Sequence, residues 1–86
     1  MPNVKSAEKA LRQNRRRQER NRLRKEAIRK ILRQIRHHVQ AGEREKAKAL
    51  LPQLAKAADK AAARGAVHPH RAARIKARMM RLVEAQ

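Results

Sequence analysis

Several residue types are missing or nearly missing from this chain of 86 residues. It has no cysteine, no phenylalanine, tyrosine or tryptophan, no threonine, and one serine, Ser6. The absence of cysteine excludes disulfide bonds and thiolate metal sites. The absence of aromatic rings excludes the stacking platforms of sheet-based RNA readers and OB-folds. Because Ser6 is the one hydroxyl available as a nucleophile, covalent catalysis is nearly excluded and we do not expect an enzyme.

Large apolar residues are scarce as well. Hydrophobic residues make up 41% of the chain, but 17 of them are alanine and only 18 are larger. That number predicts a single small domain with a thin core. No stretch approaches the roughly 18 consecutive apolar residues of a membrane span, and the N-terminus lacks the apolar segment of a secretory signal. We therefore expect a protein of the reducing cytoplasm.

Positive charge is what the chain has in excess. There are 25 Lys+Arg and 7 Asp+Glu, a formal net charge of +18. A compact chain with this charge repels itself, so a strongly anionic partner is expected: nucleic acid first, an anionic membrane second. Residues 1–40 hold 14 basic and 3 acidic side chains, residues 41–64 hold 6 and 3, and residues 65–86 hold 5 and 1. The charge is therefore concentrated in the N-terminal half.

A few glycines and prolines interrupt a composition that otherwise favours helix. The glycines and prolines separate segments rich in Ala, Arg, Lys, Leu, Glu and Gln, and they predict three helices at about 5–40, 43–64 and 69–84. Gly42 and Gly65 stand where the first two helices end. The connections are short, which favours antiparallel neighbours. We predict an all-α fold, an antiparallel three-helix bundle.

Three local signals refine the helix ends. Ser6 is a good N-cap for the first helix, with Glu8 in its first turn. Pro52 lies inside the second helix, where we expect a kink and not a break, because the apolar pattern continues through it. Pro69 is a favoured first residue for the third helix, with His68 or a neighbour as its cap.

Apolar residues at helical spacing define the predicted core. The core positions are Ile28, Ile31, Leu32, Ile35 and Val39 on the first helix, Ala47, Leu50, Leu51, Leu54, Ala58, Ala61 and Ala62 on the second, and Ala72, Ile75, Met79, Leu82 and Val83 on the third. The same line on the N-terminal half of the first helix carries amides at 14, 18 and 21, and every other face carries arginine. Residues 1–26 are therefore predicted to project as a basic extension of a bundle formed by residues 27–86, within one domain. Since nothing buries this extension, we expect it to be frayed until RNA binds.

Cations surround the projecting half-helix on every side. A membrane-surface helix confines its charge to one face, whereas a crevice between RNA helices offers phosphates on two sides. Arginine suits this role through bidentate phosphate contacts and stacking on bases. A merely solvated face is the alternative, although like charges at i,i+4 oppose an isolated helix. A second basic feature is an arginine ladder on the third helix: Arg71, Arg74, Arg78 and Arg81.

The remaining ionisable residues give no sign of a metal or cofactor site. His37 and His38 are adjacent on a helix and are expected to point apart, and no zinc motif is present. His68 and His70 could contact phosphate or could cap the third helix, and the sequence leaves both readings open. Asp59 is expected to pair with a neighbouring cation.

Several stretches resemble the bacterial small-subunit ribosomal protein S-twenty family, and the resemblance covers essentially the whole chain. The matching segments are Asn3-Val4-Lys5-Ser6-Ala7-x-Lys9, Gly42 at the first turn, Asp59-x-Ala61-Ala62-x-Arg64-Gly65-x-Val67-His68, and Ala72-Ala73-Arg74-x-Lys76-x-Arg78. One departure is Pro69-His70, where the family usually has a Lys-Asn type pair.

The resemblance implies a structural RNA-binding protein of the 30S subunit that contacts the 5′ domain and the long 3′ minor-domain stem of 16S rRNA. It also implies a monomer among other small-subunit components, with a three-helix bundle and an extended first helix. The residues and the resemblance together give this RNA-binding set: Lys5, Ser6, Lys9, Arg12, Asn14, Arg15, Arg16, Arg17, Gln18, Arg20, Asn21, Arg22, Arg24, Lys25, His68, His70, Arg71, Arg74, Lys76, Arg78 and Arg81. The alternatives are a general nucleoid-type protein that compacts DNA or RNA, and a membrane-active basic helix.

Overall fold

Three helices account for all regular structure in the part of the chain, residues 4–85, that this computed structural model describes. They are α1 (Val4–Gln40), α2 (Arg44–Ala63) and α3 (Pro69–Glu84). Each bound lies within one residue of the prediction, so the all-α expectation is confirmed. Asn3, the first residue of the quoted motif, lies outside the described residues. Within them, no helix is long and apolar enough to cross a membrane.

Two glycines end the first two helices with the same hydrogen-bonded turn. Gly42 has φ 75°; its N–H donates to the carbonyl of Val39 at 3.2 Å, and the N–H of Glu43 donates to the carbonyl of His38 at 2.8 Å. These two bonds form a Schellman motif. Gly65, with φ 76°, ends α2 in the same way. The left-handed backbone conformation explains why glycine occupies both positions.

The start of α1 differs from the prediction. Ser6 was expected to be the N-cap, but Val4 and Lys5 are already helical, and an N-cap residue has a non-helical backbone. The first described turn consequently contains no acidic residue, since Glu8 lies beyond it. Each residue added to an existing helix adds a backbone hydrogen bond, and neither Val4 nor Lys5 is a helix breaker. Extension of the helix therefore outweighs the single bond of a serine cap.

α2 continues through Pro52 as one helix. Proline has no N–H, so it cannot donate to the carbonyl of Lys48. Apolar side chains on the same face lie on both sides of the proline, with Ala47 and Leu54 both buried. Packing of that face keeps α2 in one piece, as predicted, and the kink at Pro52 stays a prediction.

The core is built from the predicted stripes. Its buried members are Ile28, Ile35, Val39, Ala47, Leu54, Ala58, Ala61, Ala66, Val67, Ala72, Met79 and Val83. Ala66 and Val67, which the sequence assigned only to the connection between α2 and α3, are a finding of the structure. No polar or charged side chain of the described residues is buried. α2 packs against both other helices, whereas α1 and α3 touch each other only slightly.

The N-terminal part of α1 extends beyond this core. Every residue from Val4 to Arg20 is exposed, a segment that we call the arm and that spans about 25 Å at 1.5 Å per residue. The Cα trace is 63 Å long and only 21 × 14 Å across, as expected for an extended first helix. Asn21 is the first half-buried residue of α1, so the continuously exposed segment ends at Arg20, and the division of the chain at residues 26 and 27 stays a prediction.

Candidate nucleic-acid interface

The arm exposes cations that have few internal partners. Arg12, Arg16 and Arg20 are exposed, and no ion pair among the described residues involves them. Next to the arm, Arg22 binds the carboxylate of Glu19 through Nη2 at 2.6 Å and Nε at 3.2 Å. This pair lowers the pKa of Glu19 and raises the pKa of Arg22, through the hydrogen bonds first and the opposite charge second. Most of the charge on the arm thus remains available to an external anion.

A small groove lies between the base of the arm and the end of α2. We call it the arm groove; it is lined by Gln13, Arg16, Arg17, Arg20, Asn21, Arg24 and Arg64. It combines five guanidinium groups with two side-chain amides and no carboxylate. Guanidinium donors matched to phosphate oxygens, with amides able to bond ribose hydroxyls or base edges, suit an RNA backbone.

Arg64 was not among the predicted site residues, although a signal for it exists. It is the first residue after α2, and α2 is 20 residues long, about 30 Å. Counting back by that length from the turn at Gly42 leads to the neighbourhood of residue 20 on α1, which is where Arg64 meets the arm. Arg64 at the end of α2 and residues 13–24 of α1 thus line one groove, and the antiparallel packing of the helices stays a prediction.

A second groove separates α1 from α3. We call it the α1–α3 groove; it is lined by Arg36, Val39, Gln40, Arg71, Arg74, Ile75, Arg78, Met79, Arg81 and Leu82, and its volume is about 1150 Å³. All four members of the predicted ladder face this groove. Arg36 of α1 also lines the groove. It was not among the predicted site residues, because its neighbours Ile35 and Val39 mark that turn of α1 as core. The floor is apolar and the rim is formed by guanidinium groups.

Lys76 of the predicted set has an internal partner. Its Nζ lies 2.6 Å from Oδ1 of Asp59 on α2, and its side chain is one-third exposed. The expectation that Asp59 pairs with a neighbouring cation is therefore confirmed. At about 100° per residue, Lys76 lies on the side of α3 opposite Arg74. It joins α2 to α3 and lies outside the groove that contains the ladder.

His68 caps α3. Its backbone is extended (φ −71°, ψ 144°), and its Nδ1 accepts a hydrogen bond from the N–H of His70 at 3.1 Å, with Pro69 following as the first helical residue. The capping interpretation of His68 is confirmed. Because Nδ1 accepts, the proton of the neutral ring is on Nε2. Both imidazoles are exposed, so Nε2 of His68 can still donate to an external anion.

The turn between α1 and α2 holds a second polar cluster. Oε1 of Glu43 lies 3.3 Å from Nδ1 of His38, and Oε2 lies 2.6 Å from Nζ of Lys46. The hydrogen bonds from Lys46, first, and His38 lower the pKa of Glu43. The rings of His37 and His38 meet edge to face at 5.5 Å, so the expectation that they point apart was wrong: the flexible side chains swing together from adjacent positions. In residues 4–85, no three potential metal ligands come together.

The predicted RNA-binding residues therefore fall into distinct places. Most are exposed, and Asn21, Arg24 and Lys76 are half-buried. Lys5, Ser6 and Lys9 lie at the far end of the arm, outside both grooves. The residues that the sequence missed all line the grooves: Gln13, Arg36, Gln40 and Arg64.

The chain is similar to known proteins over almost its whole length. Residues 2–84 match the family described as Ribosomal protein S20. The chain is 41% identical over 81 residues to small ribosomal subunit protein bS20 of Thermomicrobium roseum, which covers 94% of this chain and 82% of that protein. It is 42% identical over 83 residues to the bS20 of Bacillus licheniformis (96% and 94%) and 42% identical over 76 residues to that of Mycolicibacterium smegmatis (88% of each).

These matches cover almost the whole sequence, including both glycine turns and the arginine-rich first helix. The family is a structural component of the ribosome, which works in the cytoplasm, so the expectation that the chain is not an enzyme is confirmed. The chain belongs to the ribosomal protein S20 family of the small ribosomal subunit.

Proposed function

We propose that this protein binds 16S rRNA directly and stabilises the packing of RNA helices against one another during assembly of the 30S subunit. The proposed targets are the 5′ domain and the long 3′ minor-domain stem, and the protein acts as a monomer. One observation carries the proposal: the arm groove gathers five arginines from two separate segments with no carboxylate on its lining. Like charges held this close repel one another, and a polyanion in the groove relieves that repulsion.

Two separated basic surfaces support a bridging role. The arm presents cations on every side of an exposed helix, so it fits between two phosphate backbones. The α1–α3 groove lies at the bundle and presents a second row of guanidinium groups. Phosphates bound at both places bring two RNA elements to a fixed separation, because the cations that hold them are parts of one folded chain.

The salt dependence of binding tests the extent of this contact. Neutralising about ten phosphates releases their counter-ions and gives a log–log slope on the order of −7 to −9. We expect this slope for a 16S rRNA fragment that contains the 5′ domain, measured by filter binding between low and physiological salt. A slope near −2 would contradict the extended interface.

Two further measurements separate specific rRNA binding from general compaction of nucleic acids. The amides of Gln13 and Asn21 in the arm groove offer hydrogen bonds that pure charge attraction does not need. We therefore expect folded rRNA to compete better than duplex DNA of equal length. Chemical footprinting is expected to show protections at a few rRNA positions. Equal competition together with scattered protections would favour a nucleoid-type role.

A further inference from the structure

The α1–α3 groove has an apolar floor, which phosphate binding does not require. Val39 and Met79 in this floor are 8% and 2% exposed, while Ile75 and Leu82 remain half-buried. Phosphate contacts need only cations and N–H or O–H donors. Half-covered apolar side chains inside a ring of arginines indicate a ligand that has an apolar part and a negative charge.

The size of the apolar spot limits what can cover it. Ile75 and Leu82 are seven residues apart, about 10 Å along α3, and they are the only partly exposed apolar residues on the lining. An amphipathic helix docks through four apolar anchors, at i, i+3, i+4 and i+7, over about the same length, whereas this lining offers two partly exposed apolar side chains. A single planar ring needs no more than this spot.

The rim of the groove suits a nucleobase in particular. All its cations are arginine, with no lysine and no carboxylate on the lining. A guanidinium plane can stack on a base while it binds a phosphate, whereas the ammonium of lysine cannot stack. The chain contains no Phe, Tyr or Trp, so arginine is its main means of stacking. The amide of Gln40, at the side of the groove, can bond a base edge.

We infer that the α1–α3 groove receives an unpaired nucleobase of the RNA, seated against Ile75 and Leu82 and stacked by guanidinium groups of the ladder. The phosphates next to that base bind the same arginines. This inference rests on the proposed function and assigns a different RNA feature to each of the two basic surfaces. The bundle binds an unpaired nucleotide, and the arm binds the phosphates of paired RNA.

Two RNAs of equal charge test the inference with the full-length chain. One is a hairpin with a fully paired stem. The other carries one unpaired nucleotide in that stem and one nucleotide fewer in its loop, so that the number of phosphates is the same, with each of the four bases tried in turn. Stacking of one base is worth at least about fivefold in affinity, so we expect the best bulged hairpin to bind at least about fivefold more tightly by fluorescence anisotropy. A 2-aminopurine bulge is expected to change its fluorescence on binding.

Charge-preserving variants identify the groove. The double variant R74K/R78K keeps both cations and loses two stacking planes, so we expect the preference for the bulge to disappear while the salt slope is unchanged. The matched variant R12K/R15K, on the arm, is expected to keep the preference. Circular dichroism of both variants checks that the bundle is folded.

Three outcomes would overturn the inference. Equal affinity for the two hairpins, with R74K/R78K behaving like R12K/R15K, would show a groove for phosphate only and would leave the proposed function standing. Failure of the wild-type chain to bind either hairpin or rRNA would overturn both this inference and the proposed function. The third outcome is tight binding of an acidic amphipathic peptide. If RNA cannot displace that peptide and the variant R74K/R78K no longer binds it, the groove is a site for a protein partner.

Discussion

The arm and the bundle are parts of one chain, and α1 belongs to both, yet opposite forces shape them. In the bundle, apolar side chains from three helices are buried and no described polar side chain is. In the arm, no side chain is buried, and the large apolar residues Val4 and Leu11 are 69% and 52% exposed. The comparison shows that a helix can be specified by local propensity and length while its tertiary support ends partway along. We therefore expect the bundle to be stable by itself and the helical state of the arm to depend on a partner outside the chain.

Local stability is where the two regions are expected to differ most. Exposed helix without tertiary packing opens with a free energy near zero, whereas core amides open with the global free energy of unfolding, at least about 5 kcal/mol. In hydrogen exchange of the free protein, we expect arm amides to exchange at least about a thousandfold faster than those around Ile35. Addition of the 5′-domain RNA is expected to protect the arm. Equal protection of both regions without RNA would show that the arm and the bundle do not differ in local stability.

Introducing a charge into the core is the next largest effect. Ile35 is 0% exposed, so Ile35→Asp buries an unpaired carboxylate and is expected to cost more than about 4 kcal/mol, enough to unfold the bundle. The matched change Leu11→Asp adds the same charge to an exposed position of the same helix. Thermal melting should show a large loss for Ile35→Asp and almost none for Leu11→Asp.

Charge reversal on the arm is expected to separate binding from stability. The double variant R16E/R20E removes two cations from the arm groove, and we expect a salt slope smaller by about 2, weaker rRNA binding and an unchanged melting temperature. The control K48E/K56E makes the same change in net charge on exposed positions of α2 that line neither groove. Equal loss of binding in both variants would show that net charge alone matters.

A smaller effect is expected at the turn that joins the two longer helices. Gly42 has φ 75°, with open space around its Cα, so Gly42→Ala is unfavourable through backbone strain and not through collision, by about 1–2 kcal/mol. Gly42→Asn is expected to cost less, because asparagine tolerates this conformation better. Chemical denaturation should rank glycine, asparagine and alanine in that order of stability. A stabilised alanine variant would contradict the assigned turn.

The smallest expected effect is on the stability of the folded chain in acid. The pKa of Glu43 is lowered in the folded chain by Lys46 and His38. A depressed folded pKa gives stability that is present above the unfolded value of 4.5 and lost as the pH falls through the folded value. We expect the melting temperature of Glu43→Gln to fall less than that of the wild type between pH 5 and pH 3. Glu45→Gln, two residues further along and outside the described ion pairs, is the control and should follow the wild type.

The sequence predicted the helices and their buried faces because both follow from local spacing. Apolar residues at three- and four-residue intervals mark one face, and a glycine in a left-handed conformation ends a helix whatever surrounds it. The prediction of a Ser6 N-cap was wrong because the capping bond of serine competes with the backbone hydrogen bonds of a longer helix. The residue type at one position does not decide which of the two is more stable. Arg36 and Arg64 were missed because each belongs to a groove made by two segments, and only the packing of the helices brings those segments together. The same reason applies to the ion pair between Lys76 and Asp59. The sequence predicted that Asp59 pairs with a cation, but it did not identify Lys76 of α3 as that cation.

The unbroken course of α1 has a mechanical consequence. From residue 4 to residue 40 the helix contains neither glycine nor proline, so α1 has no built-in hinge. Whenever the arm is helical, as we expect it to be on RNA, it is a lever fixed to the bundle in both length and direction. Each inserted residue would rotate the lever by about 100° and lengthen it by about 1.5 Å. Two extra residues before Ile28 would turn its faces almost to the opposite side, while seven would nearly restore their direction and move the tip outward by about 10 Å. If the arm and the bundle each bind an RNA phosphate backbone, as we propose, the number of residues in α1 sets the distance and the angle between those two backbones.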